Sequence, residues 1–251
     1  MMKVAIMIPT YNESESIKNI LEQIDAISLP DIEIHVLVID DNSPDKTAQL
    51  VESFHYKNVD ILKRPNKDGL GNAYKAGIKY LLQDKTFTHL VSMDADGSHR
   101  VVDLIEMLKI ANENPGSGLI LGSRWIQGGK VVNWPFHRKL LSKGGTRYAG
   151  WALKIGIKDI TGGFRIYPRK TLEDLDLKQI TSNGYCYQIE MAFAINHLNR
   201  KVIEVPITFV EREHGKSKMS QRIVLEAMLQ VTRWALVMRI DPTADKLHYV
   251  K

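Results

Sequence analysis

His89-Leu90-Val91-Ser92-Met93-Asp94-Ala95-Asp96-Gly97-Ser98-His99 is the stretch on which the fold of this 251-residue chain turns. An apolar run of strand character ends abruptly in two carboxylates with one residue between them. Where the backbone stays extended, a period of two sends the Asp94 and Asp96 side chains to the same side. Two hard oxygen anions at this spacing suit Mg²⁺ or Mn²⁺, which bind through one or two carboxylates while sharing a substrate's phosphates. Position adds to composition, because open α/β sheets hold ligands beyond the carboxyl ends of their strands. Asp and Gly are also ordinary turn residues, so the pair alone reads as a turn. Its surroundings decide.

Upstream, Lys3–Ile8 reads as a short strand ending at Pro9-Thr10-Tyr11-Asn12-Glu13. Asn12 and Glu15 have capping-box spacing, and Ile17, Ile20, Leu21, Ile24 and Ile27 follow at helical spacing. Ile34–Ile39 is a continuous apolar run, as for a strand covered on both faces, and it ends in Asp40-Asp41. Ser43 as N-cap with Pro44 at the first helical position predicts the next helix. Val59–Leu62 predicts a third strand, and the glycine-containing loop Lys67–Gly71 leads into a helix through Leu82. Downstream come a helix near Val101–Asn112 and a strand at Leu119–Leu121 that runs into Gly122-Ser123-Arg124. Strands alternating with helices predict an α/β fold with a mainly parallel sheet.

After Arg124 the pattern loosens. Gln127–Lys130 and Asn133–Pro135 are loop signals, followed by a basic helix near Arg138–Lys154. A strand carries Arg165, which is as readily a partner of Asp159 as a functional cation. A helix covers about Tyr187–Leu198, where Glu190 reads as a structural partner of an arginine. Short strands flank Pro206, Arg212–Met219 is a polar, basic loop, and 241–251 reads as a frayed tail. Residues 1–220 are expected to form the catalytic unit, with a first half (1–120) and a second half (121–220). The helix of 221–240 is amphipathic: its first half suits core packing, while its arginines suit an interfacial helix on a membrane.

The totals fit an ordinary soluble globular protein, with 44% hydrophobic and 25% charged residues. The net charge of +5 hides an asymmetry. Residues 1–120 hold 12 Lys/Arg and 18 Asp/Glu, a net of −6, whereas 121–240 hold 20 and 9, a net of +11. The second half therefore meets something anionic, with nucleic acid, a phosphorylated substrate and an acidic membrane as the classes. A single cysteine, Cys186, excludes an internal disulfide and reads as a small core residue. No signal-peptide pattern and no membrane-spanning apolar run is present, so a soluble or peripheral, cytoplasmic protein is expected.

Glu13, Asp40-Asp41 and the pair Asp94 and Asp96 follow three different strands, so in a parallel sheet they converge on one edge. A phosphate loop, a dinucleotide-binding glycine fingerprint and a hydrolase nucleophile elbow are all missing. A bound diphosphate must then be neutralised by metal and by basic side chains, with Arg124, Arg138, Arg165, Arg212 and Lys218 at hand. His99 reads as support behind the metal pair, and Trp125 and Trp134 as loop anchors.

Ile8–Glu13, Val38–Asp45, Met93–His99 and Gly122–Arg124 resemble the inverting family-2 glycosyltransferases of GT-A fold. Gly128–Pro135, Arg138, Ser142–Gly144, Glu204–Phe209 and Gly215–Met219 resemble its dolichol- and polyprenol-phosphate mannose synthase branch. The resemblance implies that Pro9, Tyr11, Glu13, Ile39 and Asp41 line the nucleotide pocket. It places Asp94 and Asp96 on the metal with the Ala95 backbone near the donor, and Ser98 where some relatives use glutamine as a further metal ligand. Arg124, Arg138, Arg212 and Lys218 fall near the diphosphate and the acceptor phosphate, with Ser142 as a further acceptor donor. Asp96, Arg124 and Arg138 are the residues expected to carry catalysis.

The implied partners are Mg²⁺ or Mn²⁺, GDP-mannose, a polyprenyl or dolichyl phosphate and the cytoplasmic surface of a membrane, with no nucleic acid. Membrane attachment through a separate anchoring protein stays open. Two rivals stand beside this expectation: a UDP-glucose:undecaprenyl-phosphate glucosyltransferase, and a non-catalytic nucleotide- or nucleic-acid-binding protein, for which no recognised module is present.

Overall fold

The structure, a computed structural model, describes residues 1–211, 221–240 and 249–250, with side chains at all of these except 185 and 221–224. The basic loop Arg212–Met219, with Arg212 and Lys218, lies outside the described residues.

The first half is a run of β/α units: β1 (Met2–Thr10), α1 (Ile17–Asp25), β2 (Ile32–Asp40), α2 (Thr47–Ser53), β3 (Val59–Lys63), α3 (Leu70–Leu81), β4 (His89–Ser92), α4 (Val101–Glu113) and β5 (Leu119–Ser123). The second half adds β6 (Lys130–Val132), α5 (Phe136–Ala152), β7 (Arg165–Pro168), α6 (Arg169–Asp174), α7 (Tyr185–His197), β8 (Val202–Pro206), β9 (Thr208–Val210) and α8 (Gln221–Ile240). One seven-stranded sheet runs in the order β3-β2-β1-β4-β7-β5-β8, so both halves share it. Every pairing is parallel except those of β7, which runs antiparallel to β4 and β5. The GT-A architecture expected from the sequence is the one observed, with a single reversed strand.

Period two sorts the strands into two cores. Ala5, Met7, Leu37, Ile39, Leu90, Leu119 and Leu121 face one layer, which includes residues of α3, α5, α7 and α8. Val4, Ile6, Ile8, Val36, Val38, Val91 and Ile120 face the other, with α1, α2 and α4. Both faces are dry, which explains why these strands read as unbroken apolar runs instead of alternating ones. Each fully buried aliphatic side chain contributes about 1.5–3 kcal/mol to this arrangement.

Three local expectations need correction. No capping box opens α1: Asn12 is left-handed (φ 61°) and the helix begins at Ile17. Nor does Ser43-Pro44 open α2, which starts at Thr47 after a left-handed Lys46. Ser43 is drawn off by Asp40, donating its hydroxyl to Oδ1 (2.6 Å) and its N–H to Oδ2 (2.9 Å). The segment around Lys130, read as loop, forms β6 and pairs with β9 in a small parallel ribbon. Three residues are too short a stretch to carry a period.

His89 opens β4, in register between Val4 and Pro168. Burial lowers its imidazole from 6.5 to about 4. The unfolded chain therefore takes up a proton at a pH where the folded chain refuses it, and stability present above the unfolded value is lost as pH falls. Between about pH 7 and pH 4.5 this group is expected to remove about 2 kcal/mol of unfolding free energy. Urea titrations of the wild type and His89→Gln over that range check it, since the variant should lose that part of the decline.

Candidate active site

The carboxyl ends of β1, β2 and β4 meet at one edge, where loops are tied to each other and not left to solvent. Thr10 donates to Asp40 (2.9 Å), the Asn12 N–H to Ser43 Oγ (3.1 Å), the Glu13 N–H to Thr47 Oγ1 (3.1 Å) and the Ser14 N–H to Asp45 Oδ2 (3.0 Å). Ser43, which looked like a cap, thus joins Thr47 and Asp45 in stitching the loop after β1 to the loop after β2. Hydrogen bonds from Thr47 and Ser14 hold the Asp45 carboxyl below its usual range, outweighing the burial that raises it.

This edge frames a cavity of about 580 Å³. One wall carries Pro9, Tyr11, Glu13 and Asp41, with Lys67 lying over the Tyr11 ring, 3.7 Å from its centroid. Asp41 is held by Arg64 (2.6 Å), whose other nitrogen grips Asp68. Burial raises the Asp41 carboxyl, with the Arg64 charge working against that rise. A flat ring beside a fixed carboxylate is a fitting seat for a nucleobase, offering a stacking face and an acceptor for ring N–H groups.

The floor carries Asp94, Ala95 and Asp96. β4 ends at Ser92, so the two carboxylates do not converge by strand alternation. A turn brings both to the cavity instead. The Asp94 N–H donates to His99 Nδ1 (3.0 Å), and the Ser98 N–H donates to Asp96 Oδ1 (3.0 Å) across Gly97, whose φ of 76° is the left-handed geometry glycine allows. His99 stacks on Phe164 at 4.6 Å, so the expectation of a supporting histidine agrees with its packing. Since Nδ1 accepts, its proton sits on Nε2, 3.9 Å from Asp94 Oδ2. Among the described residues no three His, Cys, Asp or Glu side chains form a metal cluster. Two carboxylates facing a cavity, with the rest of the shell left to phosphate and water, fit a Mg²⁺ or Mn²⁺ site shared with a substrate.

The far wall is cationic. Arg124 forks onto Asp159 through Nε and Nη2 (2.7 Å each) and also reaches Thr161 (3.0 Å). Both members are buried, a geometry in which removing one partner typically costs about 3–5 kcal/mol. Gly129 lets the following loop close on Arg124, because a Cβ there would lie 2.6 Å from the Ser123 carbonyl oxygen. Arg138 pairs with Glu211 and stacks on Trp134, 4.0 Å from its centroid, while Arg124 lies 5.3 Å from the same ring. Trp134 is therefore an anchor for two guanidiniums as well as for its loop. Beyond them the wall turns mostly apolar, with Leu141 and Tyr148 of α5 and Ala227, Met228 and Val231 of α8, interrupted by Ser142 and Glu226.

Of the residues expected from sequence, Pro9, Tyr11, Glu13, Asp41, Asp94, Ala95, Asp96, Arg124, Arg138 and Ser142 line this one cavity. Ile39 does not: it is fully buried against Gly77 and α3. Ser98 is 1% exposed, lies outside the lining, and its hydroxyl has no hydrogen-bond partner. Arg165 does not pair with Asp159; it is buried and donates to the Gly162 and Ile160 carbonyls, bracing the Thr161–Gly163 loop. Glu190 accepts from the Ser182 N–H and the Tyr249 hydroxyl instead of an arginine. Cys186 is half-buried and lines the cavity, its thiol pushed up to about 11 by burial and then by Glu190 and Glu226, so it stays protonated. Sequence reasoning missed Lys67, Thr161 and Gln188. Lys67 was within reach, as it follows a strand of the same edge, whereas Gln188 sits in a helix with no period to betray it.

Residues 5–176 match the family described as glycosyl transferase family 2. Over 249 residues the chain is 44% identical to the undecaprenyl-phosphate mannosyltransferase of Micrococcus luteus, covering 98% of this chain and 99% of that one. It is 41% identical over 242 residues to the polyprenol monophosphomannose synthase of Mycolicibacterium smegmatis (95% and 89% covered). To the dolichol-phosphate mannosyltransferase of Pyrococcus furiosus it is 36% identical over 238 residues (92% and 63% covered). A crystal structure of glucosyl-3-phosphoglycerate synthase from Mycobacterium tuberculosis with Mn²⁺ and UDP superposes with a TM-score of 0.63 at 14% identity, covering 95% of this chain and 80% of that one. That likeness speaks for the fold. By family match and by relatives aligned along nearly its whole length, the chain belongs to glycosyl transferase family 2.

Proposed function

We propose that this protein transfers mannose from GDP-mannose to a polyprenyl monophosphate with inversion at the anomeric carbon. The observation that carries the reading is one cavity whose wall passes from a ring-and-carboxylate seat, over paired aspartates, to arginines and then to apolar helix. A nucleotide sugar and a lipid phosphate fit that sequence of surfaces in that order. The names borne by the relatives from Micrococcus and Mycolicibacterium favour mannose and a polyprenyl acceptor.

Asp94 and Asp96 would hold Mg²⁺ or Mn²⁺, which supplies Lewis-acid neutralisation of the departing diphosphate. Tyr11, Glu13 and Asp41 seat the nucleoside. Arg138 and Ser142 hold the acceptor phosphate, Arg124 faces the charge that develops between the two substrates, and Arg212 and Lys218 belong to the same basic set by sequence. The acceptor phosphate is already anionic, so the site needs alignment more than a general base. A phosphate oxygen bonds to the anomeric carbon as the bond to the diphosphate breaks, and GDP leaves with the electron pair. An α-linked donor then yields a β-linked mannosyl phosphate, which product NMR checks. In a panel of radiolabelled nucleotide sugars with one polyprenyl phosphate, GDP-mannose is expected to label the lipid. Preference for UDP-glucose would replace the donor in this account. Asp96→Ala is expected to lower metal-dependent transfer by roughly a hundredfold or more with the fold retained; unchanged turnover would favour a binding protein.

We also propose peripheral attachment at the cytoplasmic membrane face through α5 and α8. No described helix is long and apolar enough to cross a bilayer. The two helices touch, with the Tyr148 hydroxyl 2.6 Å from Thr232 Oγ1. On α5, Phe136 (79% exposed), Leu140 (63%) and Trp151 (69%) share one face at i, i+4 and i+15, beside exposed Lys143, Arg147 and Lys154. On α8, Leu225, Leu229, Leu236 and Ile240 share an exposed face, while Val231, Trp234 and Ala235 are buried. Among the side chains described on α8, the buried ones thus fall at 231, 234 and 235, beyond the first half that its sequence favoured. An apolar stripe flanked by cations is the pattern of an interfacial helix on acidic lipid. Replacing Phe136, Leu140 and Trp151 together by serine is expected to weaken binding to phosphatidylglycerol vesicles at least tenfold in flotation, while turnover of a short-chain, detergent-dispersed acceptor persists.

A further inference from the structure

We infer that Gln188 reads a hydroxyl of the donor's hexose, an assignment that rests on the nucleotide-sugar reading above. Gln188 lies on α7, is 4% exposed and lines the cavity, yet its Oε1 is buried without a hydrogen-bond partner. Buried side-chain carbonyls are seldom left unmet, and for a residue that lines a substrate cavity the substrate is the partner still to arrive. Its place is fixed by its neighbours. A Cβ built on Gly163 would lie 3.4 Å from Gln188 Nε2 and 3.9 Å from His99 Cε1, so amide, glycine and imidazole crowd together. That imidazole is the one accepting from the Asp94 N–H at 3.0 Å. The amide therefore stands behind the turn that carries the paired aspartates, on the α7 side of the cavity.

Charge narrows what it can meet. Arginines 124 and 138 face the anionic groups from α5 and the β5 end, and both are held by carboxylates, Asp159 and Glu211. Asp41 is held by Arg64 and Thr161 by Arg124. Gln188 is uncharged, so it offsets the charge of neither a diphosphate nor a cation, and ligation of the metal by its carbonyl is the rival that the Mn²⁺ arm of the test separates. An amide does match a hydroxyl, offering one acceptor and one donor to a group that is itself both. The part of a nucleotide sugar that is neutral, rich in hydroxyls and next to the diphosphate is the hexose.

The test uses Gln188→Met, which keeps the volume and removes the amide, and Gln188→Ala. Calorimetric titrations with GDP and with GDP-mannose, each in the presence of Mn²⁺, separate nucleotide from sugar. GDP affinity is expected to be unchanged, which also shows the fold intact, while GDP-mannose binds about tenfold more weakly and kcat/KM falls about tenfold to a hundredfold. Among monodeoxy GDP-mannose analogues, one should be poor for the wild type and no poorer than GDP-mannose for the variants. Equal loss for GDP and GDP-mannose, a higher Mn²⁺ requirement for GDP binding, or unaltered GDP-mannose affinity overturns the assignment. If the wild type takes UDP-glucose instead, the donor reading falls, and the same titrations with UDP and UDP-glucose judge Gln188 independently.

Discussion

Like charges crowded at one sheet edge are the constraint that this structure has to meet. Parallel β1, β2 and β4 deliver Glu13, Asp41, Asp94 and Asp96 to a single cavity because their carboxyl ends coincide. Left alone, such acids would repel each other and resist ionisation. The chain answers with partners of two kinds. Arg64 takes Asp41 from outside the cavity, while backbone N–H groups and serine and threonine hydroxyls absorb Asp40 and Asp45. Asp96 has one oxygen on a backbone N–H, and both Asp94 and Asp96 keep a face on the cavity. That division separates carboxylates that hold loops from carboxylates left facing the cavity.

The cationic wall is built by the same logic with the sign reversed. A guanidinium buried beside a hydrophobic pocket needs a carboxylate fork or an aromatic face, and Arg124 has both, in Asp159 and the cluster of Trp125, Trp134 and Phe209. Such a pair contributes geometry more than stability, since desolvation consumes much of the attraction. Geometry is what in-line transfer to an anionic acceptor demands, because the attacking group needs no deprotonation and misalignment is what slows it. Reducing each arginine's net charge with a carboxylate also keeps the empty cavity from being a fixed block of positive potential.

Much of this was legible in the sequence, and the limits were physical. Strand ends followed by acids located the edge, since topology is fixed by the alternation of elements, and ten of the expected cavity residues face it. Local hydrogen-bonding residues were legible only as types. Ser43 looked like a cap because it precedes proline, but Asp40 three residues back competes for it and wins. Proximity made Asp159 one of two readings for Arg165, yet Arg124, thirty-five residues away from Asp159, takes the carboxylate in space. The α7 helix defeated pattern reading altogether. Buried on nearly every side, it has no apolar stripe, so the polar positions Gln188 and Glu190 carry no signal of which faces a cavity and which a tyrosine.

On the attachment proposed above, the α5 helix ties membrane and chemistry together. Its inner face supplies Ser142, Thr146 and Ala149 to buried surroundings, and its outer face presents Phe136, Leu140 and Trp151. A single rigid rod therefore sets the distance between an apolar outer surface and the acceptor end of the cavity. A lipid phosphate cannot leave the interface far behind, because each methylene drawn into water costs about 0.8 kcal/mol. If α5 lies on lipid as proposed, a cavity directly under it removes that cost, and α8 packed beside it widens the apolar floor. The proposed attachment also gives the basic second half a reason: it would face an anionic surface and an anionic acceptor at once, whereas the acidic first half would face a cation and its nucleotide.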